Sequence, residues 1–271
     1  MSPLGKRLLS AALFLPLFIY ILAKGSPFHF FILVFLAICL ALHEFYSFNI
    51  TLLSKELKLF GFLWGAFILV AAYTGDFSQM SGIVAGGVIL LFLIRLLRGK
   101  ELSGVINETS FLCLSVLYVV FLLSYLVLLR GLDYGHLWIL LLFFITWGGD
   151  TAAYFSGVHM GKRRLYPEIS PKKSVEGLIG GFFGGIAGGL FFKSLFFSHI
   201  AFLDCIIIAA VIGIVGPLGD LTESMLKRSS NVKDSGGLIP GHGGFLDRLD
   251  SIMFSAPVLY YFAVMRYGIE V

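Results

Sequence analysis

The chain has 271 residues, of which 58% are hydrophobic types and only 13% are charged, and its formal net charge is +4. An average soluble domain carries about a quarter charged residues, so this composition excludes a soluble globular protein. The apolar residues fall in long runs without alternation, which also argues against a membrane β-barrel. The sequence therefore predicts an all-α, polytopic integral membrane protein.

Nine apolar runs are long enough to cross a bilayer as helices, which takes roughly 20 residues. They lie near residues 8–23, 28–48, 59–74, 82–97, 109–129, 136–154, 175–195, 200–223 and 250–267. The start of the chain, Lys6-Arg7 before an apolar run, is also typical of a signal peptide. We interpret it as a retained first span, because no small-residue cleavage site follows and further spans come directly after it.

The basic residues are divided unequally between the two sides of the predicted bundle. Alternating loops place sixteen of the 20 Lys and Arg residues on one side. Because an excess of Lys and Arg marks the cytoplasmic side, we expect a cytoplasmic N-terminus and an odd number of spans. This basic layer suits anionic head groups or a phosphorylated ligand. Its two large loops are residues 155–174 and 224–249.

Span eight ends in a charged helical face. Four charged residues recur there at helical spacing: Asp220, Glu223, Lys227 and Arg228. Asp220 follows fourteen uncharged residues, 206–219, so it lies near membrane depth, where an ionisable group needs a partner or a polar cavity. For each residue a structural alternative to a functional role stays open. Asp220 could form a salt bridge that joins two helices, and Lys227 and Arg228 could extend to lipid head groups.

A glycine-rich segment leads into span nine. Its glycines, on both sides of Pro240 and His242, allow backbone amides to approach a ligand closely. Asp247 and Asp250 follow, one turn apart at the start of span nine. Two carboxylates would repel a phosphate unless a hard cation lies between them. The alternative is that they compensate the helix dipole.

The other large loop supplies a second charged group. Asp150 lies in the last turns of span six, and a Ser170-Pro171 turn precedes Lys172 and Lys173 at the start of span seven. The lysine pair could hold a phosphate at that helix start. For the upstream basic residues 162–164 we favour membrane anchoring. The glycine pairs of "GGFFGGIAGG" in span seven indicate close helix packing, within one protomer or across a homodimer.

The segment "SMLKRSSNVKDSGGLIPGHGGFLDRLD", residues 224–250, resembles the signature of the phosphatidate cytidylyltransferases, or CDP-diacylglycerol synthases. Every fixed position of that long pattern is filled. The upstream "SPKKSVEG" is similar to a second block of the family, with Ser174 where Thr is expected. The Asp-Gly-x-x-Ala-Arg motif of the CDP-alcohol phosphotransferases, which consume CDP-lipids, is absent from the sequence.

The resemblance implies transfer of CMP from CTP to phosphatidic acid, giving CDP-diacylglycerol and pyrophosphate. It implies membrane lipids as partners, no nucleic acid, and an active site on the cytoplasmic side of the cell inner membrane. We expect a single membrane domain over residues 1–271. Within it, residues 1–105 would form spans without a motif, and residues 106–271 would form the catalytic spans and loops.

The resemblance also implies site residues. The catalytic set would be Asp220, Lys227, Asp247, Arg248 and Asp250. Of these, Asp220 and Asp247 would hold Mg²⁺, alone or with a second cation, and Asp250 would be a further ligand or orient Arg248. The residues that bind substrate would be Asp150, Lys172, Lys173, Arg228, Lys233, Asp234, His242, Gly243 and Gly244.

Two other functions stay open at this point. A CTP-dependent kinase or transferase acting on another lipid would have the same fold class and differ only in its acceptor. A secondary transporter of a phosphorylated ligand would also have acids within its spans. The charges crowd at one side instead of the midplane, and no inverted repeat is visible, which argues against the transporter.

Overall fold

The computed structural model describes residues 15–98, 102–236 and 244–268. Its helices are α1 (Leu15–Lys24), α2 (Pro27–Ser47), α3 (Lys55–Thr74), α4 (Phe77–Arg98), α5 (Val105–Ser115), α6 (Leu122–Gly131), α7 (Gly135–Met160), α8 (Val175–Phe196), α9 (Phe202–Ser229) and α10 (Asp250–Tyr267). A π-helical segment, Val116–Phe121, joins α5 to α6, and a 3₁₀ turn, Leu246–Arg248, precedes α10. Two short strands, β1 (Arg164–Tyr166) and β2 (Ser170–Ser174), pair antiparallel.

The prediction of an all-α integral membrane protein is confirmed. Within the described residues, seven helical stretches are long and apolar enough to cross a membrane: α2, α3, α4, α5–α6, α7, α8 and α9. The described part of the first predicted span forms the short apolar helix α1, and the ninth predicted span forms α10. The count of nine spans and the cytoplasmic N-terminus stay predictions.

Local sequence signals explain several helix ends. Ser54 begins α3 because its side chain accepts a hydrogen bond from the backbone N–H of Leu57, at 3.3 Å. Gly75 ends the same helix with φ of 76°, a left-handed conformation that glycine adopts without strain. Ser174 caps α8, since its Oγ accepts from the backbone N–H of Gly177 at 3.1 Å. Ser174 is thus the N-cap of α8, and Thr, which the family pattern has at this position, could form the same cap.

The described chain divides into two compact units. The first contains α1–α6 together with residues 234–236 and 244–246. In this unit the guanidinium of Arg130 donates a 2.9 Å hydrogen bond to the carbonyl oxygen of Gly25. The ends of α6 and α1 therefore meet, as the predicted alternation of spans requires.

The second unit contains residues 132–233 and 247–268, and it carries most of the predicted site. At one end, Arg266 Nε donates to Asp204 Oδ1 at 3.0 Å and the Tyr267 hydroxyl donates to Asp204 Oδ2 at 2.9 Å. This contact joins the start of α9 to the end of α10. The predicted charged residues lie at the opposite ends of these two helices.

Helices α7 and α8 pack through glycine. A Cβ placed on Gly184 would lie 2.8 Å from the carbonyl oxygen of Gly148, and one on Gly188 would lie 2.5 Å from that of Phe144. Both distances are too short for a real side chain, so only glycine permits this approach. The packing predicted for the glycine-rich span is confirmed, and it takes place within the chain. A homodimer stays a prediction.

The β1–β2 hairpin was not predicted. The sequence placed Lys172 and Lys173 at a helix start after a Ser-Pro turn, but both lie on strand β2, and α8 begins only at Val175. Glu176, in the first turn of α8, accepts hydrogen bonds from the backbone N–H groups of Lys162 and Arg163 at 3.0 and 3.2 Å. These contacts hold the hairpin against α8, which short-range sequence patterns do not reveal.

Candidate active site

A buried ion triad links the end of α9 to the start of α10. Lys227 Nζ lies 3.1 Å from Glu223 Oε1, one turn earlier on the same helix, and 2.5 Å from Asp247 Oδ1 in the 3₁₀ turn. The side chains of Glu223, Lys227 and Asp247 are 0%, 12% and 17% exposed. Lys227 therefore does not extend to lipid head groups, because it is enclosed between two carboxylates.

A second ion pair joins α9 to the hairpin. Lys173 Nζ on β2 lies 2.5 Å from Asp220 Oδ2, and both side chains are about one-third exposed or less. Asp220 thus has the salt-bridge partner that its depth in the helix required. Although Asp220 and Glu223 are one turn apart on α9, their partners come from different elements.

Two further carboxylates join these pairs into one cluster. Asp250 is within electrostatic range of three of these charged side chains: Asp220, Lys173 and Asp150. The charge of Arg248 acts on Asp150, which projects from α7. The charge of Asp250 also acts on Glu223, which links the two ion pairs.

This charged cluster is defined by five acids and three bases: Asp150, Asp220, Glu223, Asp247 and Asp250, with Lys173, Lys227 and Arg248. The structure therefore brings together the whole predicted catalytic set. When all eight side chains are ionised, the cluster carries an excess of negative charge.

A cavity of about 630 Å³ opens beside the charged cluster. It lies among α7, α8, α9 and the hairpin, and its volume is typical of small-molecule sites. Glycines such as Gly149 and Gly213 are among its lining residues, and both lie close to α8. The charged residues that line it are Asp150, Arg164, Lys172, Lys173 and Asp220.

Three basic residues of the hairpin line this cavity: Arg164, Lys172 and Lys173. Besides the hydrogen bonds to Glu176, the turn of the hairpin accepts a 3.4 Å hydrogen bond from Arg228 Nε through the carbonyl oxygen of Ile169. Arg228, an expected substrate-binding residue, is exposed and contacts the hairpin. Arg164 lines the cavity, a role that its interpretation as a membrane anchor missed.

The remaining predicted residues are placed less completely. Lys233 and Asp234 follow α9 and are exposed, and the described structure does not bring either into the charged cluster. Gly244 is buried and belongs to the first unit. His242 and Gly243 lie outside the described residues, so the predicted nucleotide loop is described only at its ends.

The predicted metal ligands Asp220 and Asp247 lie in the charged cluster. Among residues 15–98, 102–236 and 244–268, no group of three or more His, Cys, Asp and Glu side chains is arranged to hold a metal ion. Asp220 and Asp247 each contact a lysine instead. Mg²⁺ commonly binds to only one or two carboxylates together with substrate phosphates, and the excess of carboxylates here fits that mode.

Sequence reasoning noticed Glu223 but gave it no role. It is fully buried, and neither of its carboxylate oxygens makes a hydrogen bond of good geometry within the described structure. The signal was available, because a carboxylate four residues before Lys227 at the end of an apolar run predicts an ion pair at depth.

Residues 5–265 match the sequence model of the Cytidylyltransferase family. The chain belongs to this family. It is 34% identical to the phosphatidate cytidylyltransferase of Bacillus subtilis over 274 residues, which cover 96% of this chain and 98% of that protein. It is 35% identical to that of Staphylococcus epidermidis over 261 residues, covering 93% and 96%. With that of Thermotoga maritima it shares 37% identity over 173 residues, covering 62% and 64%.

Membership confirms the resemblance inferred from residues 224–250 and makes the protein a nucleotidyltransferase. The match covers the spans without a motif as well as the charged cluster. The two units described above therefore both lie within the family's common sequence.

Proposed function

We propose that this protein is a phosphatidate cytidylyltransferase, which transfers CMP from CTP to phosphatidic acid and forms CDP-diacylglycerol and pyrophosphate. The observation that carries the proposal is the cavity whose charged end contains the Lys173–Asp220 pair beside the Lys227–Asp247 pair. Lys173, Lys227 and Asp247 belong to the segments that resemble the family's two blocks, and relatives matched over nearly their whole length carry that name.

The chemistry suits such a site. A phosphate oxygen of phosphatidic acid attacks the α-phosphorus of CTP, the bond from that phosphorus to the β-bridging oxygen breaks, and pyrophosphate leaves. The attacking oxygen is already ionised, so the protein needs no strong base. Catalysis of this kind is mostly positioning of the reactants and stabilisation of charge on the phosphates.

The bases of the cavity would bind the phosphates. Arg164 on β1 and Lys172 on β2 line the cavity with exposed side chains. Lys173, also on β2, lines it as well. Lys227 and Arg248 belong to the neighbouring charged cluster and would neutralise charge as pyrophosphate leaves. The Glu176 carboxylate of α8 holds the backbone just before β1, and β2 pairs with β1 and leads directly into α8, so the two lysines of β2 are positioned before substrate binds.

Magnesium is part of the proposal. Asp220 and Asp247 would hold it, with Asp250 as a further ligand or as the residue that orients Arg248. When bound, the cation would neutralise phosphate charge and polarise the phosphorus–oxygen bonds. Asp150, which is exposed to the cavity, would support this site or line the access path of the lipid.

We place the active site on the cytoplasmic side of the cell membrane. CTP is a soluble polyanion, whereas phosphatidic acid stays in the lipid, so the two must meet at a membrane surface. The hairpin and the adjoining ends of α9 and α10 carry the basic residues that the distribution of Lys and Arg assigns to the cytoplasm.

The test is synthesis of CDP-lipid by the purified protein. The full chain in detergent is incubated with labelled CTP, dioleoyl phosphatidic acid and Mg²⁺, with a chelator control. Labelled CDP-diacylglycerol should form, disappear with chelator, and be lost in Asp247→Asn. The matched control is Asp204→Asn, a buried acid at the other end of the second unit, which should stay active.

Other outcomes separate the alternatives. Labelled product with a polyprenol acceptor, but none with phosphatidic acid, would show that the acceptor is a different lipid. A folded sample that never consumes CTP would refute the enzyme and favour a transporter. Full activity of Asp247→Asn would show that the site is assigned wrongly.

A further inference from the structure

Glu44 is a buried carboxylate far from the family's signature in sequence. It lies near the end of α2, in the first unit, and is only 2% exposed. A buried carboxylate is unfavourable unless hydrogen-bond donors compensate the loss of water. Sequence patterns give it no role, because His43-Glu44 lacks the second histidine of a zinc-binding helix.

The hydrogen-bond donors to the Glu44 carboxylate come from residues 224–250, the segment that resembles the family's signature. Glu44 Oε2 accepts a 3.2 Å hydrogen bond from the Ser235 hydroxyl and a 2.8 Å hydrogen bond from the backbone N–H of Leu246. One carboxylate oxygen thus binds both ends of residues 235–246. Hydrogen bonds to an ionised acceptor are the stronger kind, and these are shielded from water.

The ends of the segment also meet each other. A Cβ placed on Gly244 would lie 2.9 Å from both Glu44 Oε2 and the backbone nitrogen of Gly236. A Cβ placed on Gly236 would lie 2.5 Å from Glu44 Oε1. Both positions therefore require glycine for the approach to Glu44. The Ser47 hydroxyl also lies 3.4 Å from the carbonyl oxygen of Ser235, so α2 contacts this end of the segment twice.

The residue that Glu44 holds at this end, Leu246, is bonded directly to Asp247, a residue of the proposed active site. Leu246, whose N–H is held by Glu44, directly precedes Asp247, whose carboxylate contacts Lys227. Leu246 is fully buried, so its position is fixed by packing as well as by the hydrogen bond. A displacement of Leu246 would move Asp247 with it.

We propose that Glu44 is a positioning residue for cytidylyl transfer, which ties the two ends of residues 235–246 together and thereby sets the place of Asp247. The proposal rests on the function proposed above. It assigns a role to a residue of α2, which the sequence showed only as a span without a motif.

The test combines kinetics with amide hydrogen exchange in the full chain. Glu44→Ala should lower kcat for CDP-diacylglycerol synthesis by about a hundredfold, since small displacements of catalytic groups have effects of this size. The same variant should exchange the Leu246 amide faster. Glu44→Gln should stay within about threefold of the parent, because its amide oxygen can accept both hydrogen bonds.

The matched control is Glu108→Ala in the same unit. Glu108 pairs with Arg95 at 2.9 Å and is 21% exposed, so its loss removes a partly buried ion pair elsewhere. This variant should leave kcat and the exchange of Leu246 unchanged. If Glu44→Ala does not fold, Gly244→Ala disturbs the same contact without removing the carboxylate, and it should lower kcat similarly.

Three results would overturn the proposal. Faster exchange with unchanged kcat would make Glu44 a purely structural residue. Unchanged exchange in Glu44→Ala would show that the tie does not hold the segment, and a loss in Glu44→Gln equal to that in Glu44→Ala would show that hydrogen-bond geometry is not its role. If the unsubstituted protein makes no CDP-lipid, the proposed function fails with this one, while hydrogen exchange still reports on the tie separately.

Discussion

Replacing Lys227 by methionine would remove the cation between two enclosed carboxylates. Glu223 is 0% exposed and Asp247 is 17% exposed, and both contact the Lys227 ammonium in the folded protein. Breaking a buried ion pair by removing one partner destabilises a protein by about 3–5 kcal/mol. Because Asp247 keeps some contact with solvent, we expect about 3 kcal/mol here, which corresponds to a fall in Tm on the order of 5–10 °C.

A second substitution separates stability from catalysis. In Glu223→Gln/Lys227→Met the fully buried carboxylate is also neutralised, and only Asp247, which keeps contact with solvent, is left without its partner, so part of the lost stability should return. Turnover should not return, because no ammonium is left to stabilise the phosphates, and we expect it to stay about a hundredfold or more below the parent. Thermal unfolding in detergent and CDP-lipid synthesis are measured on the same preparations.

The control is Lys193→Met, which removes a half-buried lysine from the last turn of α8. Lys193→Met should change neither the Tm nor the turnover appreciably. A Tm of Lys227→Met within 1–2 °C of the parent, against the expected several degrees, would refute the burial argument. A double variant that regains turnover together with stability would show that Lys227 only neutralises Glu223 and Asp247.

Three other substitutions test separate parts of the site and fold. Lys173→Met should cost at most about 1 kcal/mol, because Lys173 and Asp220 are partly exposed, yet raise the KM for CTP about tenfold in steady-state assays; an unchanged KM would remove Lys173 from the phosphate site. Gly184→Leu should sharply reduce the yield of monodisperse protein in size-exclusion chromatography, whereas Gly82→Leu, which has open space around it, should not. Ser174→Ala removes the cap of α8 and should cost about 1 kcal/mol in thermal unfolding.

Those features that depend on local chemistry could be predicted from the sequence. The spans follow from the length of apolar runs, since only helices satisfy their backbone in lipid. The close packing of α7 and α8 follows from the glycine pairs, because a residue without a side chain has few other uses inside a span. Most of the charged cluster was predicted, because its residues stand in two parts of the sequence, 150–173 and 220–250, although Glu223 was given no role.

The partners within the cluster could not be predicted. Helical spacing places Asp220 and Lys227 on one face, but Asp220 pairs with Lys173 on a strand and Lys227 pairs with Asp247 in a turn. Strands β1 and β2 are only three and five residues long, and the hairpin that they form has tertiary contacts to Glu176 and Arg228. Periodicity carries no information about such contacts.

Glu44 shows the same limit at longer range. Its partners lie 191 and 202 residues further along the chain, so no local pattern connects them. One general signal was present: a carboxylate inside an apolar run must have a partner at depth. That argument indicates that Glu44 needs a partner, although only the fold shows which segment supplies it.

The buried charges are better explained by function than by stability. Well-packed apolar residues in place of a buried ion pair are often as stable or more so, hence stability alone does not require Glu223, Lys227 and Asp247 together. The cluster also holds five acids beside three bases, so its own composition does not favour a triphosphate without a cation. Such an arrangement is unfavourable for an empty protein and for a bare polyanion, but it complements a phosphate chain that arrives with a divalent cation. This reasoning motivates the proposal that Mg²⁺ takes part, and the chelator control in the synthesis assay tests it.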